Sequence, residues 1–471
     1  MDRTSESLQL EVIFIPFLVP GHMIPMVNIA RLFATHGINV TIITNNFGAI
    51  QFHKALTEEL KSGHKITIHT LSEESATPQE TKNVKNFLFS TGTLKSQVEQ
   101  VITQRSPQCI VSDMFFPWTA DIAIALGIPR LVFYGFSYLG HCGMEIVTTV
   151  PPYSEEPYVL PSIPDKIEFL RSQLPFNIRT PKEWYAFFNA IREADKKSFG
   201  VLVNSFYELE PGYPECYTKL TGTKTWHIGP LHHIIKRFNA DKGDERRGEV
   251  ITAGHSCLSW LNSKIKNSVL YMSFGSMAKF SSAQLLEIAS GLEASGHPFI
   301  WVIKTTEGDE TSLPEGFEER MTEEKKGLVI KGWALQMLIL EHPAIGGFVT
   351  HCGWNSTMES ITSGVPMITW PITADQFYNE KVVTKVLKIG VEVGVEEWRE
   401  MTVEQSYFVT RDKIEKAVIR LMSVDEEAIE RRKRAKEFGE MAKRAVEDGG
   451  SSYVDLVSLI DNLKTMQSSR K

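Results

Sequence analysis

No two glycines in the chain stand two positions apart, so the GxGxxG dinucleotide fingerprint cannot occur anywhere in it. A GxxxxGK[ST] phosphate loop and a GxSxG nucleophile elbow are missing as well. No two aspartates are two apart either, which removes the DxD arrangement for holding a divalent ion. Dehydrogenases, P-loop NTPases and α/β-hydrolases therefore drop in rank. Cysteine is scarce and scattered: Cys109, Cys142, Cys216, Cys257 and Cys352 are odd in number and include no CxxC pair. Such usage points to reduced thiols, with no disulfide framework and no structural zinc.

Long runs of one charge are also absent. The chain carries 50 Lys+Arg against 57 Asp+Glu, a net charge of -7, whereas a nucleic-acid clamp needs a basic stripe. The one long stretch without formal charge, Val12 to Ala30, contains Pro16, Pro20, Gly21, His22, Pro25 and Asn28 and would break as a spanning helix. The preceding MDRTSESLQLE has more acid than base, unlike the start of a secretion signal. A soluble, cytoplasmic, monomeric protein without a membrane span is expected. What is present is ordinary globular material: 471 residues, 42% hydrophobic and 10% aromatic, enough for two or three cores.

From residue 11 apolar, β-branched runs alternate with amphipathic stretches. EVIFIPFL, INVTIIT, KITIHTL, CIVSDM, 130–134 and GVLVNSF are expected as strands, with a helix over MVNIARLFATHG closed by Gly37. The rhythm is βαβ, and continuous apolar runs imply a parallel sheet covered on both faces. It dissolves between 235 and 250 into KRFNADKGDERRGEV, and a second βαβ series follows: SVLYMSF, PFIWVIK, GLVIKGW, IGGFVTH and VPMITW. Two α/β domains are expected, 1–240 and 251–450, joined by a linker at 241–250. A helix at 451–471, opened by a serine cap, is expected to pack back on the first domain.

The densest stretch, Trp333 to Gln376, reads WALQMLILEHPAIGGFVTHCGWNSTMESITSGVPMITWPITADQ. A strand ending at His351 leads into a helix near Asn355 and Ser356. Unpaired N–H groups at such a start, with the positive dipole end, make an anion site. His351 and Ser356 add donors for a diphosphate. Glu359, one turn on from Asn355, can accept from a ribose diol, Trp333 offers a face to a base ring, and Asp375 with Gln376 can take sugar hydroxyls. Singly each has a plainer use in packing or capping. Jointly they fall at successive carboxyl ends of parallel strands, where open α/β sheets bind ligands.

This stretch resembles the signature box of plant family-1 UDP-dependent glycosyltransferases, from Trp333 through HCGWNS to Asp375-Gln376. GHMIP, SDMFFPW, SFGS and FYNEK also sit where that family has them, and Leu335 departs from its usual proline. The resemblance implies a GT-B fold: two Rossmann-like domains whose parallel sheets face across a cleft. It implies Trp333 and Ala334 on uracil, Glu359 on ribose, and Ser276, His351, Asn355 and Ser356 on the diphosphate. Trp354, Asp375 and Gln376 fall to the sugar, and Gln336 joins the donor site. UDP-glucose is then a co-substrate, with no further cofactor and no metal.

The catalytic pair expected is His22, after the first strand, and Asp113, after the fourth. In a doubly wound sheet of order 3-2-1-4-5 these strands are neighbours, so residues 91 apart in sequence can touch. An imidazole near its ordinary pKa of about 6.5 suits removal of a hydroxyl proton, and a carboxylate behind it fixes the tautomer. The expected reaction is one in-line, inverting displacement onto a lipophilic acceptor. Its pocket is expected from Phe115, Phe116, Trp118, Tyr134, Phe136 and the EWYAFF segment at 183–188. Likeness within the family favours a triterpenoid sapogenin acceptor, then a flavonoid or isoflavonoid. The competing readings are another UDP-sugar (glucuronic acid, galactose or xylose) used to extend a saponin sugar chain, and a non-catalytic nucleotide-sugar binding protein.

Overall fold

The computed structural model describes residues 10–72, 90–150, 157–175, 182–234, 251–275, 278–303, 313–399 and 408–469. The β-branched runs form short strands, and those inside each sheet are almost wholly buried, as parallel sheets covered on both faces require, while the edge strands Ile66–Thr70 and Gly327–Lys331 are partly exposed. In the first domain these are β1 (Glu11–Ile15), β2 (Asn39–Thr44), β3 (Ile66–Thr70), β4 (Cys109–Asp113), β5 (Arg130–Phe133), β6 (Gly200–Val203) and β7 (Thr225–His227). They make one parallel sheet in the order β3-β2-β1-β4-β5-β6-β7. The second domain holds β8 (Val269–Ser273), β9 (Phe299–Ile303), β10 (Gly327–Lys331), β11 (Ile345–Thr350), β12 (Met367–Thr369) and β13 (Gly390–Glu392), in the order β10-β9-β8-β11-β12-β13. Each order reverses beside its first strand, and both candidate sites grow from these switch points.

Two registers matter most. Ile15 pairs with Ser112 where β1 lies against β4, so the loop after β1 meets the end of β4. Ser273 pairs with Thr350 where β8 lies against β11, which sets Gly275 beside His351. Three of the helices that follow the strands shape the cleft: α1 (Pro20–Thr35), α2 (Tyr138–Thr149) and α3 (Trp354–Thr362). The short α4 (Gln376–Lys381) completes its second-domain side.

Two expectations need correction, and two strands are not foreseen. Helix α1 begins at Pro20, six residues before the predicted Met26, because Pro20 occupies the first helical turn, where a missing N–H costs nothing. The last helix, α5 (Ser451–Ser468), is capped by Gly450 and not by a serine side chain; Ser451 Oγ instead donates to Glu208 Oε2 at 2.7 Å. Strands β7 and β13 have three residues each, too few for a period to show. The expected linker, 241–250, lies outside the described residues.

Helix α5 packs on the first domain. Leu456, Leu459, Ile460 and Leu463 share one apolar cluster with Val12, Phe14 and Val40, and Asp455 Oδ2 accepts from both the backbone N and Nδ1 of His227 at 2.8 Å. Among the described residues, no helix is long and apolar enough to cross a membrane. None of the five cysteines is part of a disulfide.

Candidate active site

His22 lies in the first turn of α1, where its Nδ1 stands 2.8 Å from Asp113 Oδ2. The imidazole is 19% exposed and the carboxylate fully buried, so one face of the ring reaches the cleft while the acid supports it from behind. Asp113 Oδ1 accepts from the Phe115 N–H at 3.1 Å, which fixes the carboxyl plane. Phe115 and Phe17 pack on the imidazole at ring distances of 5.2 and 5.7 Å. Burial among these rings lowers the His22 pKa, but the charge and hydrogen bond of Asp113, helped by Asp375, outweigh it and leave the value raised above 6.5.

A proline explains how the second domain reaches this turn. A regular helix would give the Gly21 carbonyl an N–H from residue 25, but residue 25 is proline and has none. The free carbonyl accepts from Asn355 Nδ2 at 2.8 Å, so the start of α3 is tied to the residue beside His22.

At the donor side no side chain caps α3, whose N-cap is Gly353, so its first N–H groups are left for an anion. His351 sits between two glycines: an added Cβ would lie 2.7 Å from its Cε1 at Gly275 and 2.4 Å from its Nε2 at Gly353. Its Nδ1 is buried without a partner, and burial lowers its pKa to about 4, so it enters the site as a neutral ring. Because Gly353 leaves no room, Gly353→Ala is expected to displace that ring. Overpacking of this kind costs about 1–3 kcal/mol, and the expected outcome is about tenfold weaker binding of the nucleotide that the resemblance implies, read by calorimetry.

Glu359, Ser356 and Gln336 meet in one network. Gln336 Nε2 donates to Glu359 Oε2 at 2.6 Å and to Ser356 Oγ at 3.1 Å, and its Oε1 accepts from the Tyr271 hydroxyl at 3.2 Å. Burial raises the Glu359 pKa to about 7 against the opposing pull of Gln336. Trp333 is 70% exposed at the edge, open to a stacking partner, with Ala334 following it. Ser276 lies outside the described residues.

On the sugar side, Gln376 Oε1 accepts from the Ile372 and Thr373 N–H groups at 2.8 and 2.9 Å, which leaves its NH₂ as the group able to reach a ligand. Asp375 is buried, and this raises its pKa to about 6 despite the Asn379 hydrogen bond and the charge of His22. The Trp354 indole N–H donates to the Asn204 carbonyl across the domain boundary at 2.8 Å, which leaves its backbone N–H as the donor at the start of α3. Cys352 and Ala374, each just before the N-cap of the helix that follows (α3 and α4), have left-handed φ values of 64° and 54°. Strained non-glycine residues of this kind gather at binding sites.

The acceptor side is part pocket and part core. Phe115 stacks on Phe187 at 6.1 Å beside His22, and Trp118 packs edge-on against Phe116 at 5.6 Å. Phe116 and Phe136 are buried, a correction to their expected place in the pocket, and the Tyr134 hydroxyl donates to Asp195. The side chain of Trp184 lies outside the described residues. Sequence reasoning missed Asn204, Ser137, Asn379 and Tyr271. FYNEK marked Asn379 without giving it a task.

A family model, UDP-glucoronosyl and UDP-glucosyl transferase, matches residues 93–427. The chain is 44% identical to UDP-glucose flavonoid 3-O-glucosyltransferase 7 of Fragaria ananassa, over 98% of each chain. It is 43% identical to soyasapogenol B glucuronide galactosyltransferase of Glycine max, covering 98% of this chain and 97% of the relative. A Glycyrrhiza uralensis UGT crystallised with glycyrrhetinic acid 3-O-monoglucuronide superposes with a TM-score of 0.89 at 39% identity, covering 98% of this chain and 97% of that one. The chain belongs to the UDP-glucoronosyl and UDP-glucosyl transferase family, as a UDP-sugar-dependent glycosyltransferase of plant secondary metabolism with the GT-B fold. Among the described residues no cluster of His, Cys, Asp or Glu could hold a metal ion.

Proposed function

We propose that the enzyme transfers glucose from UDP-glucose to a hydroxyl or carboxyl of a lipophilic acceptor, first a triterpenoid sapogenin and second a flavonoid, with inversion. The observation that carries the mechanism is the 2.8 Å contact of His22 Nδ1 with Asp113 at the cleft. It leaves Nε2 to take the proton of the acceptor oxygen, which attacks the anomeric carbon as UDP departs. Asp113 keeps the tautomer and steadies the imidazolium. The N–H groups at the start of α3 and the ring of His351 meet the charge that develops on the diphosphate. Trp333 stacks on uracil with Ala334 at its edge, Glu359 holds the ribose with Gln336 beside it, and Asn355, Ser356 and Ser276 contact the diphosphate. The Trp354 backbone, Asp375 and Gln376 contact the sugar.

Glucose is favoured by Gln376 at the close of the signature stretch and by the glucosyltransferase relative. A second reading, extension of an existing sugar chain with another UDP-sugar, is favoured by the galactosyltransferase relative and by the glucuronide in the Glycyrrhiza structure. The test is a panel of UDP-sugars against triterpenoid, triterpenoid glucuronide and flavonoid acceptors, with linkage and anomeric configuration read by NMR. A retained anomeric configuration refutes the single displacement.

The pH profile follows from His22. The base works when neutral, and its pKa is raised above 6.5, so kcat/KM should fall as pH drops through that raised value. The stability change has the opposite sense. The Asp113 pairing contributes fully below the unfolded value of 6.5 and is lost as pH rises through the folded one. Activity and thermal stability measured across this range should therefore move in opposite directions, with the stability part absent in His22→Ala.

A further inference from the structure

Asn379 is fully buried on α4 and has no part in the roles above. Its amide nitrogen donates to Asp375 Oδ2 at 2.7 Å and to the Cys352 carbonyl at 2.8 Å. Its amide oxygen accepts from Ser137 Oγ at 2.8 Å. The orientation of the amide is fixed by chemistry, because only the NH₂ can serve a carboxylate and a carbonyl together. Ser137 is the N-cap of α2 and accepts from the Gly140 N–H at 3.0 Å. Three parts of the active site thus converge on one side chain. They are the acid next to the expected sugar position, the left-handed residue that turns β11 into the donor helix, and the first turn of an acceptor-domain helix.

We infer that Asn379 is a positioning residue for sugar transfer: its amide locks the Asp375 carboxylate, the Cys352 turn and the start of α2 into one geometry. The inference rests on the proposed sugar-contacting role of Asp375. A buried carboxylate with one donor fixed at its Oδ2 has a defined direction and keeps its remaining lone pairs for sugar hydroxyls. The same bond favours the ionised acid against its burial. The other groups facing Asp375 are His22 from α1, with Asp113 behind it, and the Cys352 thiol at the end of β11. The Ser137 bond adds alignment across the cleft without touching the acid.

The test compares UDP-glucose with UDP as calorimetric ligands between about pH 5 and 8, where Asp375 titrates. In Asn379→Leu, UDP-glucose affinity should fall about tenfold and UDP affinity less than about twofold, the size expected for one lost charge-assisted hydrogen bond. The acid-side weakening of UDP-glucose binding relative to UDP, a ratio that removes the part Glu359 gives to both ligands, should move up by about one pH unit, because the carboxylate has lost a donor. Asn379→Asp, close to isosteric, should shift it further in the same direction through like-charge repulsion, and serves if the leucine variant does not fold. Ser137→Ala should leave the acid limb in place, since the bond to Asp375 survives. Equal losses for both ligands, or a folded Asn379 variant with the wild-type acid limb, would mean a purely structural amide and overturn the inference. A wild-type chain that binds UDP but not UDP-glucose overturns the glucose reading together with this one, whereas wild-type binding with unchanged variants overturns this one alone.

Discussion

Replacing His22 by alanine is expected to reduce glycosyl transfer by about 10²- to 10⁴-fold, the usual worth of a positioned general base, while UDP binding stays at the wild-type level. The two effects separate because of where the groups stand. His22 belongs to the first domain and pairs there with Asp113, whereas the groups assigned to UDP project from the carboxyl ends of strands in the second. Beside the base, Asn355 bonds across to the Gly21 carbonyl, a backbone atom that the substitution leaves in place, and the charge interaction lost with the imidazole is with Asp375, a group assigned to the sugar and not to UDP. Asp113→Asn should give a loss of similar size, since its amide oxygen stays on the Phe115 N–H and its NH₂ then faces Nδ1, which favours the tautomer with the proton on Nε2 and also removes the charge that raises the imidazole pKa. Its acid limb should move to lower pH. The measurement is initial-rate kinetics with calorimetric UDP titration on the same samples, and unchanged turnover in His22→Ala would sink the mechanism.

The second large effect is expected at Glu359. Its carboxylate is buried and bonded to Gln336, with a pKa raised to about 7 by burial, and in the ribose role proposed for it the ionised form is the stronger acceptor. Glu359→Leu should weaken UDP binding about 10- to 100-fold, matching about 1.5–3 kcal/mol for hydrogen bonds to a charged group. Glu359→Gln keeps one acceptor oxygen and should lose less. Wild-type affinity for UDP should decline as pH falls below about 7, and that part of the decline should vanish in both variants. Turnover at saturating donor should change far less than the dissociation constant. A UDP dissociation constant equal to wild type in Glu359→Leu would remove Glu359 from the ribose site.

Much of the candidate site is legible in the sequence because it is built at strand ends. Strand order alone brings His22 to Asp113 over a separation of 91 residues, and the β1 to β4 register places them together. The same logic located His351, Asn355, Ser356 and Glu359 on one strand-to-helix turn. What stayed hidden has a common physical character. Trp354 to Asn204, Asn379 to Ser137 and Asn355 to Gly21 are single hydrogen bonds between domains. Each depends on how two finished domains dock, and no hydrophobic period in either partner encodes it. Phe116 and Phe136 fail for a related reason: an aromatic residue after a strand has the same sequence signature whether it faces a pocket or the interior.

The way α5 crosses back bears on how the molecule is made. Four apolar residues of that helix belong to the same interior as β1 and β2, yet they follow the whole second domain in the chain. During synthesis the first sheet must wait with an uncovered apolar strip until nearly all of the polypeptide has emerged. The second domain, with its own contiguous strands, has no such delay. Completion of the first domain is therefore a late event, and a chain cut short before residue 451 would leave that strip bare, a surface suited to aggregation.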